Sequence, residues 1–181
     1  MIIKNIQSYI ESYNQNINIT NKQTYGEVFT PFYLVNTMLD TIPPEIWKHP
    51  HIQWLDPANG TGHFMMIIFC RLWRELQEWE PDDLKRETHI LKHMLFMVEI
   101  NKSNIDVSRQ LFGEKANIYH QSFFTYDNHA DIIVGNPPFN ISRELTCGKT
   151  QWQLFVKRIL SVSYTHLRAH ETSLHLVCRL L

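Results

Sequence analysis

The sequence predicts an α/β fold with a doubly wound, mostly parallel sheet, and two stretches carry this prediction. In residues 52–79 a short apolar run ends in a Gly-x-Gly turn that opens a long amphipathic helix, the strand–turn–helix unit of parallel sheets. The run 132–134 is β-branched and bounded by Gly135 and two prolines, which is typical of a buried central strand. With 181 residues, 44% of them hydrophobic, the chain should form one domain with one core.

Composition narrows the classes of function. The formal net charge of -1 gives no global basic field for nucleic acid, although a local groove can still be basic. The three cysteines, Cys70, Cys147 and Cys178, are outside CxxC spacing, which favours reduced thiols over a disulfide frame or a zinc site. Neither a signal-peptide pattern nor an apolar run of membrane-span length is present. We therefore expect a cytoplasmic protein with no membrane partner and no metal.

The N-terminal residues 1–24 are predicted to form a helix followed by a linker. Apolar and tyrosine side chains recur every three or four positions up to Tyr13, and the next residues are mostly polar. A second helix should begin near Thr30, with Thr30 as its N-cap and Pro31 at its first position. This is either an ordinary capped helix or a helix terminus that receives a carboxylate.

The glycine turn Asp56–Gly62 follows a strand predicted at residues 52–55. Gly60 and Gly62 allow the backbone to approach a ligand closely. The turn lacks the Lys-Ser/Thr ending of a phosphate loop and the third glycine of a dinucleotide site, which disfavours phosphate binding. His63 is expected at the helix start or on the surface rather than as a ligand.

Two further strands are predicted after a charged, exposed connection at residues 80–93. The first strand covers residues 94–98 and leads into Glu99. This is the position where a carboxylate commonly binds a ribose diol. Asn101 should cap the next helix and Gly113 should end it. The following strand, residues 116–119, leads to Ser122.

The fourth strand should stop at Asn136, because the prolines that follow cannot donate to a ladder. The Asn136 amide and the Phe139 ring are then presented at the carboxyl end of the strand, where open α/β sheets bind ligands. Another amphipathic helix is predicted up to Leu160.

No strand-length apolar run follows this helix. His166 and His170 share a helical face, but residues from about 163 onward resemble translated sequencing-adapter read-through, so a metal helix is rejected. We expect residues 161–181 to be non-native and the fold to be truncated after about four strands.

Three stretches in this order, GEVFTP, DPANGTGHF and DIIVGNPPF, resemble one family. They are similar to the amino-terminal half of S-adenosylmethionine-dependent adenine-N6 DNA methyltransferases of restriction–modification systems, in the Eco57I-like and type I modification-subunit branch. The likeness covers residues 25–160, which implies a partial catalytic domain of the Rossmann-like methyltransferase type. NPPF alone also occurs in protein-glutamine and RNA methyltransferases.

The resemblance implies two groups of site residues. Those that bind the cofactor, S-adenosylmethionine, are Phe29, Thr30, Pro31, Asp56, Ala58, Gly60, Gly62, Glu99 and Ser122. Those of the catalytic turn are Asn136, Pro137, Pro138 and Phe139. Ser122 departs from the family, which usually has an aspartate there; a hydroxyl can still bond an exocyclic amine, but without charge.

The chemistry of the turn fits this role. An adenine amine is a poor nucleophile, and two acceptors, the Asn136 side-chain oxygen and the Pro137 carbonyl, would favour its attack on the sulfonium methyl without a covalent enzyme intermediate. Phe139 would stack on an adenine flipped out of DNA. The fragment itself is expected to be inactive, and its parent to work with DNA and a restriction or specificity subunit. The alternatives are a methyltransferase of protein glutamine or RNA, or a non-catalytic cofactor- or DNA-binding subunit.

Overall fold

A computed structural model describes residues 1–15, 30–137 and 151–163. In this part of the chain, four parallel strands form one sheet in the order β3-β2-β1-β4. The strands are β1 (Trp54–Asp56), β2 (Leu95–Glu99), β3 (Asn117–His120) and β4 (Ile132–Ile133). In the register, Trp54 is aligned with Leu95 of β2 and with Ile132 of β4. The predicted parallel sheet is thus confirmed.

Helices flank the strands. The α-helices of the described residues are α1 (Ile2–Gln15), α2 (Phe32–Leu39), α3 (His63–Glu75), α4 (Asp83–His89), α5 (Lys102–Phe112) and α6 (Gln151–Val162). Two 3-10 turns, Pro44–Lys48 and Phe123–Thr125, and a π-helical turn, Ile90–Met94, join them.

The two faces of the sheet are covered by different helices. Successive strand residues point to opposite faces. Trp54 and Ile132 therefore belong to a core that also includes α1, α2, α3 and α5. Leu55 and Ile133 belong to a second core, which includes the buried side of α6. Helices on both faces make the fold doubly wound, as predicted.

Helix α3 lies in the middle of the first core. Its residues from His63 to Phe69 are all buried, because α1 and α2 pack on the side that the sheet does not cover. The sequence predicted one apolar stripe facing the sheet, and the structure shows a helix that is enclosed over its first two turns. Gly113 ends α5 with φ 81°, as predicted.

Two predictions, for the first strand and for residues 80–93, were wrong in detail. The first strand runs from Trp54 into Asp56 instead of ending at residue 55. Residues 80–93 are not simply an exposed connection, because α4 places Arg86 and Glu87 in the interior. Both charges have partners: the Arg86 guanidinium bonds Asp83, and the Glu87 carboxylate accepts the Ile3 amide at 3.3 Å. A buried charge is tolerated when it is paired in this way.

Several predictions fall on residues outside the described ranges. These are the linker from residue 16 to residue 24, Phe29, Pro138, Phe139, Cys147, Cys178 and the segment 164–181. Within the described ranges, no helix combines the length and the apolar character needed to cross a membrane.

Candidate active site at the carboxyl edge of the sheet

The strand order places a topological switch point between β1 and β4. The chain runs from β1 outward through β2 to β3, and then returns to the other side of β1 as β4. Ligands of open α/β sheets bind outside the carboxyl ends of the strands at such a point. Asp56 ends β1 there, and Gly135 and Asn136 follow β4.

Asp56 is a buried carboxyl group at this point. It is 1% exposed, and its Oδ1 accepts the backbone amide of Ala58 at 3.0 Å. Burial raises the pKa of Asp56 to about 8; the Ala58 amide opposes this rise and the nearby Glu99 carboxylate adds to it. The carboxyl therefore holds a proton near neutral pH in the absence of a cation.

Gly135 brings the turn after β4 against Asp56. Its φ is 154°, and a Cβ at this position would lie 2.5 Å from Asp56 Oδ1. A side chain is excluded both by the backbone angle and by the carboxyl group. Glycine is therefore needed for Asn136 to follow the strand so close to Asp56.

Replacing Gly135 by alanine should lower the stability of the domain more than the same change at Gly113. Both glycines have positive φ, but at Gly113 the nearest atom to a new Cβ is a flexible methyl group of Ile2 at 3.4 Å. We expect about 1–2 kcal/mol of backbone strain in each variant, and about 1–3 kcal/mol more at Gly135 from the collision. Denaturant unfolding measures both; equal losses would contradict the close packing of Gly135 on Asp56.

The glycine turn is fixed from several directions. The Asn59 amide donates to the Val98 carbonyl at 3.0 Å, and the Asn59 side chain donates to Ser108 of α5 at 3.0 Å. Gly62 has φ 95°, and a Cβ there would lie 2.8 Å from the Phe112 ring. The turn is thus held by β2 and α5 before any ligand binds.

Glu99 is the main polar link of the site. Its Oε2 accepts the Gly60 amide at 2.6 Å, and its Oε1 accepts the amides of Ile100 at 2.8 Å and Asn101 at 2.7 Å. The carboxylate thus connects the end of β2, the glycine turn and the start of α5. A carboxylate oxygen can accept more than one hydrogen bond, so a ribose hydroxyl can share it with a backbone amide.

Thr30 contacts Asn136 across 106 positions of sequence. Its hydroxyl accepts the Asn136 side-chain amide at 3.3 Å, and its carbonyl lies 2.8 Å from His63 Nδ1. The predicted cap is wrong: α2 begins at Phe32, Pro31 occupies the N-cap position, and no side chain caps the helix. The Thr30 hydroxyl bonds the turn after β4 instead.

His63 starts α3, as predicted, but the surface alternative is wrong. The ring is buried and lies 4.4 Å from the Phe32 ring and 4.8 Å from the Tyr13 ring, between centroids. Burial lowers the pKa of His63, and the contact with the Thr30 carbonyl partly opposes this. We therefore assign the neutral ring with its proton on Nδ1, donating to Thr30.

Ser122 follows β3 and caps the next 3-10 turn, where its Oγ accepts the Phe124 amide at 3.3 Å. Two apolar residues at the same edge were missed by the sequence reading. Ile100 is 70% exposed directly after Glu99, and Phe124 is 39% exposed. An apolar residue placed immediately after a strand-ending acid was the signal that could have identified Ile100.

The described site has groups that fit S-adenosylmethionine. The Asn59 side-chain oxygen and the Thr61 hydroxyl are buried and make no hydrogen bond to any residue that the structure describes. Unsatisfied buried polar atoms are rare, and a ligand is one explanation for them. Carboxyl groups at Asp56 and Glu99 suit a cationic centre and a diol, and the exposed Ile100 suits a flat ring. In the same part of the chain, no group of three or more metal-ligating side chains is assembled.

The Asp56→Asn variant should be more stable than the parent protein at pH 8 and should lose that advantage toward pH 4. The folded-state pKa of about 8 exceeds the ordinary value of 3.8, so in this window unfolding releases a proton and stability falls as pH rises. The slope is about 1.4 kcal/mol per pH unit at most. Denaturant unfolding at several pH values measures it, with Glu78→Gln, at an exposed position, as control. A pH-independent difference would contradict the buried, protonated carboxyl.

The sequence matches the family described as N-6 DNA Methylase over residues 9–161. It is 37% identical to an uncharacterized adenine-specific methylase of Mycoplasma pneumoniae over 90 residues, 48% of the chain and 21% of that protein. It is 26% identical to the type I restriction enzyme EcoEI methylase subunit of Escherichia coli over 126 residues, 66% of the chain and 24% of that subunit. The chain thus spans about a fifth to a quarter of the length of these curated relatives.

Solved structures share the fold. One is a protein described as a modification subunit of a type I restriction enzyme from Vibrio vulnificus, with a TM-score of 0.61 and 18% identity, over 88% of the chain and 36% of that protein. Another is the type I restriction enzyme EcoKI M protein, with a TM-score of 0.53 and 18% identity, over 76% of the chain and 32% of that protein. At these identities the likeness shows the fold alone.

Proposed function

The chain belongs to the N-6 DNA methylase family, and from that premise we propose that its parent protein transfers a methyl group from S-adenosylmethionine to the exocyclic amine of adenine in DNA. One observation carries the proposal. The Asn136 carboxamide stands at the switch point, directly after Gly135 on Asp56 and within hydrogen-bond distance of Thr30. This joins all three stretches of the family pattern in one place.

In this proposal, the cofactor lies along the carboxyl edge of the sheet. Glu99 accepts the ribose hydroxyls, Asp56 faces the charged methionine part, and the backbone of the glycine turn, from Ala58 to Gly62, allows close approach. Ile100 and Phe124 provide apolar surface for the adenine ring. The remaining residues that the resemblance implies are Phe29, Thr30, Pro31 and Ser122. When bound, the cofactor supplies an electrophilic methyl group on a sulfonium.

The residues of the turn act on the target amine. The Asn136 Oδ1 and the Pro137 carbonyl accept its two hydrogens and draw the nitrogen lone pair out of conjugation with the ring. The new N–C bond forms as the S–C bond breaks, the electron pair of that bond stays on sulfur, and one amine proton leaves to solvent. The protein contributes position and electrostatic stabilisation and forms no covalent bond.

The same proposal gives Pro138 and Phe139 a role in holding a base that has left the duplex. Stacking on an aromatic ring contributes about 1–3 kcal/mol per base, which partly offsets the loss of stacking in DNA.

Parts of the parent protein beyond this chain supply the DNA groove and sequence specificity, and a restriction or specificity subunit is the expected partner. We propose that the protein acts in the cytoplasm. We further propose that residues 25–160 are a partial catalytic domain that, alone, binds the cofactor weakly and does not methylate.

Methyl-group transfer to competing substrates tests the function. The intact parent protein is incubated with radiolabelled S-adenosylmethionine and, separately, with adenine-containing DNA, ribosomal RNA and a release factor. We expect label in DNA. Label in RNA or in the release factor would favour the RNA or protein-glutamine alternatives, and DNA binding without transfer to any substrate would favour a non-catalytic subunit.

A further inference from the structure

We propose that Thr30 is a positioning residue for the Asn136 carboxamide, and that His63 holds Thr30 in place. The Thr30 hydroxyl takes the nitrogen end of the amide, so that the oxygen end is left to accept the hydrogens of the target amine. This deepens the proposed function and rests on it. It adds to the contact with the cofactor that the resemblance implies for Thr30.

The orientation of the amide matters because its two ends have opposite roles. The oxygen of an asparagine side chain accepts hydrogen bonds and the nitrogen only donates them. A primary amine that is about to attack must donate its hydrogens to acceptors. If the Asn136 amide were rotated by half a turn, its NH2 group would face the N–H bonds of the amine, and both groups would be donors. Asn136 is exposed, and solvent alone does not select one orientation. In the structure, the Thr30 hydroxyl, 3.3 Å from Asn136 Nδ2, accepts a hydrogen bond from the nitrogen end and holds the side chain beside Thr30.

Thr30 can do this only if its own position is fixed. It is buried, and its carbonyl accepts the Nδ1 proton of His63 at 2.8 Å. The ring of His63 is in turn enclosed by three aromatic rings, with centroid distances of 4.4 Å to Phe32, 4.8 Å to Tyr13 and 6.4 Å to Tyr9. The threonine is thereby anchored from α3 and α2.

The same contacts connect the N-terminal helix to the catalytic turn. Tyr9 and Tyr13 belong to α1, which also packs on α3 and α5. The path runs from these tyrosines through His63 and Thr30 to Asn136, with a hydrogen bond at each of its last two steps. In this arrangement α1 acts as a support for the catalytic turn.

Kinetics of three forms of the intact parent protein test the role of Thr30. Thr30→Val keeps the shape of the side chain and removes the hydroxyl, whereas Thr30→Ser keeps the hydroxyl. We expect Thr30→Val to lower kcat about five- to tenfold at saturating cofactor. Thr30→Ser should retain most of kcat. Weaker cofactor binding in Thr30→Val with unchanged kcat would overturn the proposal.

A second readout does not need turnover. Nuclear magnetic resonance of the 181-residue chain observes the side-chain amide of Asn136, assigned by its disappearance in Asn136→Ala. Its signals should move in Thr30→Val and remain in place in Thr30→Ser. If the parent protein methylates no adenine, the proposed function fails. The change in the Asn136 signals still tests whether Thr30 and Asn136 form a hydrogen bond. An unchanged signal in Thr30→Val overturns the positioning proposal.

Variants of His63 extend the test along the path. His63→Asn can place a donor near the position of Nδ1, and His63→Leu cannot. We expect the Asn136 amide signals to stay close to their parent position in His63→Asn and to move in His63→Leu, with thermal unfolding recorded for both. If both variants remain folded and neither moves the Asn136 signals, the proposed role of His63 is overturned. The Thr30 variants still test the hydrogen bond between Thr30 and Asn136.

Discussion

Replacing Asn136 by alanine is expected to abolish methyl transfer by the intact parent protein and to leave cofactor binding intact. In the proposed function, the side chain contributes the acceptor that the target amine needs as its nitrogen changes geometry, and loss of one such preorganised group lowers kcat by about 10²–10³-fold. The Asn136 side chain is exposed and donates to the Thr30 hydroxyl, so we expect its removal to leave the proposed cofactor groups on β1 and β2 in place. Single-turnover transfer and calorimetric titration with S-adenosylmethionine measure the two effects.

The matched control for this variant is Asn14→Ala, on the exposed surface of α1. It should retain activity and affinity. If Asn136→Ala transfers methyl groups at the parent rate, the turn after β4 is not the catalytic element. If it loses cofactor affinity instead of activity, Asn136 belongs to the cofactor site.

Replacing Glu99 by alanine is expected to have the second large effect, on cofactor affinity and on stability together. The carboxylate accepts the backbone amides of Gly60, Ile100 and Asn101, so its removal loosens the glycine turn as well as the ribose contact. Hydrogen bonds to a charged group contribute about 1.5–3 kcal/mol each, so the loss of the ribose contact should weaken binding at least about tenfold. Calorimetry at a temperature where the variant is folded measures this.

Glu114→Ala is the control for Glu99→Ala, because its carboxylate is 87% exposed and makes only a 3.9 Å contact with Arg109. It should change neither affinity nor stability appreciably. Equal losses of cofactor affinity in Glu99→Ala and Asn136→Ala would contradict the separate roles assigned to these residues.

The sequence was sufficient to predict the parallel sheet because the patterns that indicate strands and helix ends involve residues close together in the chain. The β-branched run before Gly135 is too short for a long helix, although β4 ends at Ile133 and not at Asn136 as predicted. The cap at Asn101 and the stop at Gly113 depend on neighbours within one helical turn. The strand order, which places β4 beside β1, is seen only in the structure.

The contacts between distant residues were not predictable in this way. Thr30 looked like a helix cap because a threonine precedes a proline and an apolar helix, and its hydroxyl instead bonds a residue 106 positions away. His63 was expected at a helix start or on the surface; it does begin α3, yet rings of α1 and α2 enclose it. Gly135 was expected near the end of a strand. Only the structure shows that a side chain at this position would collide with Asp56.

The central claim is that this chain carries the cofactor and catalytic motifs of an adenine-N6 DNA methyltransferase. Its most direct test is nucleoside analysis by mass spectrometry of DNA treated with the intact parent protein and S-adenosylmethionine carrying a heavy methyl group. We predict heavy N6-methyladenine and no heavy methylcytosine, and none of either with the Asn136→Ala variant. Heavy methyl groups on cytosine, or N6-methyladenine formed equally by the variant, would contradict the account.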